Sequence, residues 1–253
     1  MTITSDVLAE KLDRLLTVER FRDDSWNGLQ VANSGRIGRI CAGVDATLPF
    51  FEAAVAQGAG MVLCHHGISW GTSLARITGL NYRLVSFLLR HDVALWACHL
   101  PLDAHPVHGN NAVLARLLGL RQRRPFADYR GQLIGIRGEL PQEVAFDAFA
   151  GRVRRLVNPQ AAAHPFGKRR VRRIGIVSGG AAAEVAGAVG EGLDAYVTGE
   201  PSLQGYNRAQ QEAMNVVYAG HYATEVFGVQ ALVRLIEKRF ALPGAFVPLP
   251  AVY

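Results

Sequence analysis

The stretch Arg39–Gly67, RICAGVDATLPFFEAAVAQGAGMVLCHHG, decides the expected fold. Apolar and β-branched residues dominate 39–45 and 60–64, and 49–57 between them has the spacing of a helix. A strand, a helix and a second strand in this order form a βαβ unit, which builds a parallel sheet. The stretch therefore predicts an α/β protein.

The same alternation continues along most of the chain. It predicts further helices over 82–90, 111–118, 141–155, 181–189, 203–212 and 224–240, and further strands over 93–98, 132–136, 195–198, 215–219 and from 173 onward. A polar, basic connection begins at 121, a loop covers 158–170, and the proline-containing tail 245–252 fits only an edge strand or an extended arm. We therefore expect an N-terminal α/β lobe over 1–125 and a C-terminal α/β lobe over 126–253.

The composition is typical of a globular protein. Of 253 residues, 49% are hydrophobic and 19% are charged, which supplies a core and excludes disorder as the main state. No apolar run approaches the ~20 residues of a membrane span, and no signal peptide precedes the amphipathic start. Cys41, Cys64 and Cys98 lie in apolar strands without a CxxC spacing, so we expect reduced thiols and a cytoplasmic protein.

The net charge of +6 comes from clusters of basic residues at 121–124, 152–155 and 168–173. Such clusters either form an anion-attracting surface, for phosphates or nucleic acid, or are solvated loops and faces. The charge pattern alone favours the second interpretation.

Two adjacent histidines, His65 and His66, end the apolar strand MVLC. Ligands of open α/β sheets bind beyond the carboxyl ends of the strands, so chemistry is expected here. Because successive side chains of a strand point to opposite faces, either the chain leaves the strand at Gly67 or each imidazole faces a different metal of a close pair. Taken alone, the two histidines are explained equally well as ordinary loop residues.

Two further pairs, each a histidine with a carboxylate four residues later, begin at predicted strand ends. If the carboxylate falls on the first turn of the following helix, both side chains of a pair can face the same crevice. The candidate metal ligands are then His65, His66, Asp103, His221 and Glu225, with His99 as an alternate ligand or a residue that orients one.

Imidazole and carboxylate without thiolate suit Zn, Mn, Fe, Co or Ni. Five protein ligands exceed what one catalytic ion takes, so we expect two divalent ions per subunit with Glu225 as the bridging carboxylate. Ions about 3.5–4 Å apart would generate a bound hydroxide and hold an oxyanion or a phosphate. The alternative is that these histidines are core or loop residues placed in this pattern by chance.

Motifs along essentially the whole chain resemble one known family, the GTP cyclohydrolase I type 2 homologues, also called the NIF-three-like family. In chain order they are SWNGLQV at 25–31, GVDAT at 43–47, HHG at 65–67, HLPLD at 99–103, GNN at 109–111, TGE at 198–200 and GHYATE at 220–225. The resemblance implies two similar, intertwined α/β/α lobes with mostly parallel sheets, assembled into a toroidal homohexamer. It also implies a dinuclear metal site that the lobes share, formed by the same five residues. The chain resembles the short form of the family, without the inserted mid-chain domain.

The family name implies a hydrolysis that opens the guanine ring of GTP. Glu200 in the TGE loop is then the candidate catalytic base, or else a carboxylate at a helix N-terminus. Trp26 is interpreted as a core aromatic rather than as an exposed stacking residue.

The leading hypothesis is a dinuclear divalent-metal-dependent hydrolase that acts on a nucleotide or phosphorylated, anionic small molecule through metal-bound hydroxide. The alternatives are a ring-shaped nucleic-acid-binding or scaffolding protein with structural metals, and a non-catalytic metal-handling protein.

Overall fold

A computed structural model of the chain describes residues 3–250. The strands are β1 (Gly28–Val31), β2 (Ile40–Asp45), β3 (Met61–His66), β4 (Ala94–Ala97), β5 (Arg121–Tyr129), β6 (Gln132–Ala145), β7 (Ala162–His164), β8 (Arg170–Ile176), β9 (Ala195–Thr198), β10 (Asn215–Tyr218) and β11 (Gly244–Phe246). The helices are α1 (Ser5–Leu16), α2 (Leu48–Ala56), α3 (Gly79–Arg90), α4 (Leu100–Ala104), α5 (Asn110–Leu117), α6 (Phe146–Leu156), α7 (Val185–Gly190), α8 (Leu203–Gln211) and α9 (His221–Phe240). Within residues 3–250, no helix is long and apolar enough to cross a membrane.

Within residues 3–250 the chain forms two compact units, the first made of 3–102 with 228–249 and the second of 103–227 with Pro250. The sequence-based lobes 1–125 and 126–253 stay a prediction; the two units differ from them in that 103–125 belong to the second unit and 228–249 to the first. The physical reason is that α9 carries buried apolar residues, among them Leu232 and Ile236, into the core that also contains Leu8 and Leu12 of α1.

The first unit is an α/β/α sandwich. Its sheet has the order β1-β4-β3-β2-β11, in which only β1 is antiparallel to its neighbour. Alternate residues of β2 enter opposite cores, since Ile40 clusters with α1 and α9 whereas Cys41 clusters with α2 and α3. The proline-containing tail supplies the edge strand β11, as predicted, and residues 251–252 of the predicted tail lie outside the described part.

The second unit has a mixed sheet of order β5-β6-β8-β9-β10-β7. Its central strands β8, β9 and β10 are parallel, and the flanking strands β6, β5 and β7 pair antiparallel. Buried residues of α5 and α6, such as Leu114 and Phe149, pack with Ile174 and Val197 of the sheet. The predicted α/β class is thus confirmed, with a parallel centre and more antiparallel pairing at the edges of this sheet than expected.

Three local predictions were wrong. The predicted loop 158–170 contains the strand β7 and the first residue of β8, because β7 pairs with β10. The basic connection after 121 is the edge strand β5, whose first five residues are exposed. Charged side chains on an edge strand protect it from pairing with other chains, which explains why the sequence reads as a loop. The predicted helix 141–155 begins only at Phe146 because Val144 and Ala145 pair with Val171 and Arg170 of β8.

Candidate metal centre

Three parallel strands of the first unit end side by side at one edge of its sheet. Asp45 and His66, the last residues of β2 and β3, are register partners, and β4 ends at Ala97 next to Cys64 of β3. His65 and His66 both lie in β3, and His99 follows β4 by two residues. The sheet therefore carries the three histidines on adjacent strands at the edge where ligands are expected.

The imidazoles of His65, His66 and His99 form one cluster. Their ring centroids are 4.7 Å apart for His65 and His66, 5.2 Å for His65 and His99, and 5.7 Å for His66 and His99. Each offers a nitrogen within 4.8 Å of the others, so the three are placed to hold a metal ion. Because β3 runs through His66, the chain does not have to leave the strand before that residue for the rings to meet.

Each imidazole of the cluster donates its Nδ1–H to an oxygen atom. The acceptor for His65 is the carbonyl of Cys98 at 2.9 Å, for His66 it is Oδ1 of Asp45 at 2.7 Å, and for His99 it is Oδ1 of Asp23 at 2.9 Å. A proton held on Nδ1 leaves the lone pair on Nε2, which is the arrangement of metal-binding histidines. Sequence reasoning missed Asp23 and Asp45, although Asp45 stands at a strand end in the GVDAT motif.

Asp23 is the buried anchor of this network. Besides His99 it accepts hydrogen bonds from the backbone N–H of Leu100 at 2.9 Å, the backbone N–H of Ser25 at 3.1 Å and the Asn27 amide at 3.0 Å. Burial alone would raise the pKa of Asp23, but the hydrogen bonds from His99, Asn27 and Ser25, with the positive charge that His99 carries when it is protonated, lower this pKa to about 2. Asp23 is therefore an anion at neutral pH and fixes the orientation of His99.

One tryptophan lies beside the cluster, and a second, Trp26, lies at the surface. The Trp70 ring is 5.0 Å from that of His99 and 5.9 Å from that of His66. Trp26 is 64% exposed, so its interpretation as a core aromatic was wrong. Its indole N–H is satisfied by the carbonyl of Gly71 at 2.8 Å, which lets the ring lie at the surface without an unsatisfied polar group.

In the second unit, Asp103 lies in α4 and is almost fully buried. Its Oδ1 accepts hydrogen bonds from Nδ2 of Asn110 and Oγ of Ser178, both at 2.8 Å. An oxygen of Asp103 also lies within 4.8 Å of a carboxylate oxygen of Glu225, which is buried. Two buried carboxylates this close favour a bound cation, because they repel each other without one.

His221 and Glu225 occupy the first two turns of α9, four residues apart. Nε2 of His221 is 3.2 Å from Oε1 of Glu225, and Nδ1 is 3.3 Å from Oε2 of Glu200. The hydrogen bond that His221 donates to Glu225, together with the negative charges of Glu225 and Glu200, outweighs burial and raises the pKa of His221 to about 9. The structure thus brings Asp103, Glu225 and His221 together with Glu200, whose contact with His221 the sequence did not predict.

Two glycines in the loop after β8, Gly179 and Gly180, leave space for the carboxylates of Glu225 and Glu200. A Cβ on Gly179 would overlap Oε1 of Glu225, and one on Gly180 would lie 3.0 Å from Oε1 of Glu200. Gly179 also has φ of +69°, and its N–H donates to Oγ1 of Thr224 at 3.0 Å. The SGG sequence at 178–180 is therefore part of the site, although only its position at a strand end marks it in the sequence.

The fold and the two clusters define an α/β protein with histidine and carboxylate groups suited to a metal ion. A model of the Duf34/NIF3 (NGG1p interacting factor 3) family matches residues 3–248, and the chain belongs to this family. The resemblance found in the sequence motifs is thereby confirmed.

Related proteins match this chain over almost its whole length. A protein of Deinococcus radiodurans called "GTP cyclohydrolase 1 type 2 homolog" is 42% identical over 248 residues, which cover 98% of this chain and 94% of the relative. The solved structure of the protein ybgI, described as of unknown function, matches with a TM-score of 0.93 at 30% identity. The match covers 99% of this chain and 100% of the ybgI chain. A protein of Thermus thermophilus has a TM-score of 0.91 at 35% identity with the same coverage.

Proposed function

We propose that this protein is a dinuclear divalent-metal-dependent hydrolase that acts on a nucleotide or a phosphorylated small molecule. The observation that carries the proposal is the hydrogen bonding of the clustered imidazoles, each of which gives Nδ1–H to an oxygen and keeps Nε2 as a metal donor. Histidines placed in this pattern by chance would not be expected to have an anchored Nδ1 in all three cases.

The two ions would be held by His65, His66, Asp103, His221 and Glu225, in a site shared by the two units. Glu225 is the bridging carboxylate in this proposal, supported by its closeness to both His221 and Asp103 within the second unit. His99 would orient the cluster or act as an alternate ligand. The nitrogen and oxygen donors fit Zn, Mn, Fe, Co or Ni.

Bound divalent ions would polarise the group under attack and lower the pKa of water. The protein's own contribution would be positioning and proton transfer. Ser178 and Asn110 hold the Asp103 carboxylate, and Asp45 and Asp23 hold His66 and His99. Glu200, with a side chain 44% exposed and Oε2 beside Nδ1 of His221, is placed to take a proton and pass it to solvent.

The nearest named reaction comes from relatives called "GTP cyclohydrolase 1 type 2 homolog". Opening a guanine ring is a hydrolysis at an electrophilic carbon, which suits the same donor set. The positive net charge would attract an anionic substrate.

A ring-shaped nucleic-acid-binding or scaffolding protein is the second candidate, motivated by the basic clusters. Ion pairs weaken this case, because Lys168, Arg170 and Arg172 pair with Asp194, Glu143 and Glu139 at 2.7, 3.0 and 3.0 Å. Paired cations contribute less to an anion-attracting surface than their number indicates. Salt-dependent binding of DNA or RNA, lost when Arg169, Arg170, Arg172 and Arg173 are neutralised, would favour this candidate.

The hydrolase proposal is tested by screening nucleotides, phosphoesters and cyclic amides against protein stripped with chelator and reloaded separately with Zn, Mn, Fe, Co and Ni. We expect turnover of at least one nucleotide with at least one metal, and its loss in Asp103→Asn. Absence of any bound divalent ion in protein purified without chelator would contradict the proposal.

We also infer a cytoplasmic homohexamer. The cytoplasmic location is supported by the three cysteines, all buried as thiols. The toroidal hexamer rests on the sequence resemblance, and light scattering after gel filtration measures it directly.

A further inference from the structure

The second unit contains a cavity of about 400 Å³ next to the His221 carboxylate cluster. It is lined by Asn158, Gln160, Ala162, His164, Gly199, Glu200, Pro201, Tyr206, Tyr218 and Gly220. Glu200 belongs to the cavity wall and also contacts Nδ1 of His221, and Gly220 directly precedes His221. Its volume lies in the range of small-molecule sites, so it can hold a ligand that reaches Glu200.

Aromatic rings form one wall of this cavity. The ring of His164 is 5.0 Å from that of Tyr206, at 85°, and 5.7 Å from that of Tyr218. These side chains come from β7, α8 and β10, and Tyr218 is only 5% exposed. Burial lowers the pKa of His164, so its imidazole is an uncharged part of the wall at neutral pH.

The carboxamides of Asn158 and Gln160 supply polar groups to the lining. Asn158 is held by its Oδ1, which accepts from the backbone N–H of Gln160 at 3.0 Å, and a Cβ on Gly220 would lie 2.6 Å from Asn158 Nδ2. Amides both donate and accept hydrogen bonds, as the edge of a nucleobase does. Among the lining residues that the structure describes, Glu200 is the one charged side chain, which disfavours phosphate here.

We propose that this cavity binds the neutral heteroaromatic ring of the substrate, a nucleobase-type ring, and places its edge at Glu200. Tyr206, Tyr218 and His164 would contact the ring, and Asn158 would bind its polar edge. The proposal rests on the proposed hydrolase function and adds the part of the substrate that this unit recognises and the residues that select it.

The test is calorimetric titration of the full-length protein with guanosine and, separately, with ribose 5-phosphate, in metal-free and Zn-loaded forms. We expect guanosine to bind both forms. Tyr206→Leu and Asn158→Leu should each raise its Kd about tenfold or more, as expected for loss of a stacking partner or a polar contact. Tyr129→Leu, at a half-buried tyrosine of β5 outside the cavity, is the matched control and should leave Kd unchanged.

Thermal unfolding identifies variants that fail to fold, and Gln160→Leu at the exposed rim then replaces them. The proposal is overturned if guanosine does not bind at millimolar concentration, if ribose 5-phosphate binds equally well, or if folded cavity variants bind as the wild type does. Metal content is read in the same samples. If guanosine binding depends on Tyr206 and Asn158 but the protein has neither bound metal nor turnover, the cavity proposal is supported and the hydrolase proposal is contradicted. If the protein has bound metal and turnover but the two substitutions leave the Kd of guanosine unchanged, the hydrolase proposal is supported and the cavity proposal is contradicted.

Discussion

At the scale of single residues, the proposed metal site depends on the carboxylates that accept hydrogen bonds from the histidines as well as on the histidines themselves. Asp45→Asn keeps an acceptor for Nδ1–H of His66 but removes the negative charge. Because loss of such a partner makes a histidine a weaker ligand, we expect metal affinity to fall about tenfold or more with little loss of stability. Titration with Zn²⁺ and a competing chelator measures this. Glu52→Gln on the exposed side of α2 is the control, and equal affinities in the two variants would refute the role of Asp45.

The glycine that approaches Glu225 gives a second prediction at this scale. In Gly179→Ala the new methyl group would overlap Oε1 of Glu225 and the backbone would keep a φ unfavourable to alanine. We expect a clear drop in melting temperature and in bound metal. Gly151→Ala in α6 meets no atom within 4 Å and should instead be neutral or stabilise by up to about 1 kcal/mol. Similar effects of the two substitutions would argue against the proposed close approach.

The sequence identified the clustered residues but not what anchors them. His65, His66 and His99, and likewise His221 and Glu225, follow predicted strands and can be placed by strand ends and helical spacing alone. The contacts from Asp23 to His99 and from Ser178 to Asp103 join residues more than seventy positions apart. Such contacts depend on strand order and loop paths, which local patterns do not specify.

At the scale of elements, Asp194 ties the start of β9 to β8. It is 8% exposed and accepts hydrogen bonds from Nζ of Lys168 and from the backbone N–H groups of Arg172 and Arg173. In Asp194→Asn the side-chain NH₂ group would face either Nζ of Lys168 or the two backbone N–H groups, and a donor cannot accept their hydrogen bonds. We expect a loss of about 1–3 kcal/mol in the free energy of unfolding at pH 7.

This loss should depend on pH. Burial raises the pKa of Asp194, but the hydrogen bonds from Arg173, Lys168 and Arg172 and the charge of Lys168 lower it below its usual value. A carboxyl with a lowered folded pKa stabilises the fold above its unfolded pKa of about 3.9 and loses that contribution as the pH falls through the folded value. Denaturant unfolding at pH 7 and pH 3 should therefore show a smaller difference between wild type and Asp194→Asn at pH 3. A constant difference would contradict the charge effect, and Asp147→Asn serves as control.

The elements that the sequence predicted well are those of the parallel centre. β9 has the predicted bounds, 195–198, because a short run of buried apolar residues between turns allows little else. β5 was missed because its exposed arginines have no apolar alternation, and its strand state comes from pairing with β6. The helix start at Phe146 was missed because pairing of β6 with β8 overrides the helical pattern of 141–145.

At the scale of the whole molecule, metal binding should stabilise the folded chain. Ions that bind the folded but not the unfolded chain add about 4 kcal/mol at a thousandfold excess over Kd. Chelator should therefore lower the melting temperature of wild type, and added metal should restore it. The shift should vanish in both His65→Ala and Glu225→Gln, since each removes one of the proposed ligands. If metal raises the melting temperature of either variant as much as that of wild type, metal binding does not require both residues.

The central proposal is that His65 and His66 hold one pair of ions together with Asp103, His221 and Glu225. Anomalous diffraction from crystals of Zn-loaded protein tests it most directly. The claim predicts two anomalous peaks per chain, about 3.5–4 Å apart, bounded by His65, His66, Asp103, His221 and Glu225. A map without such peaks, or with one peak held by the histidines alone, would contradict it.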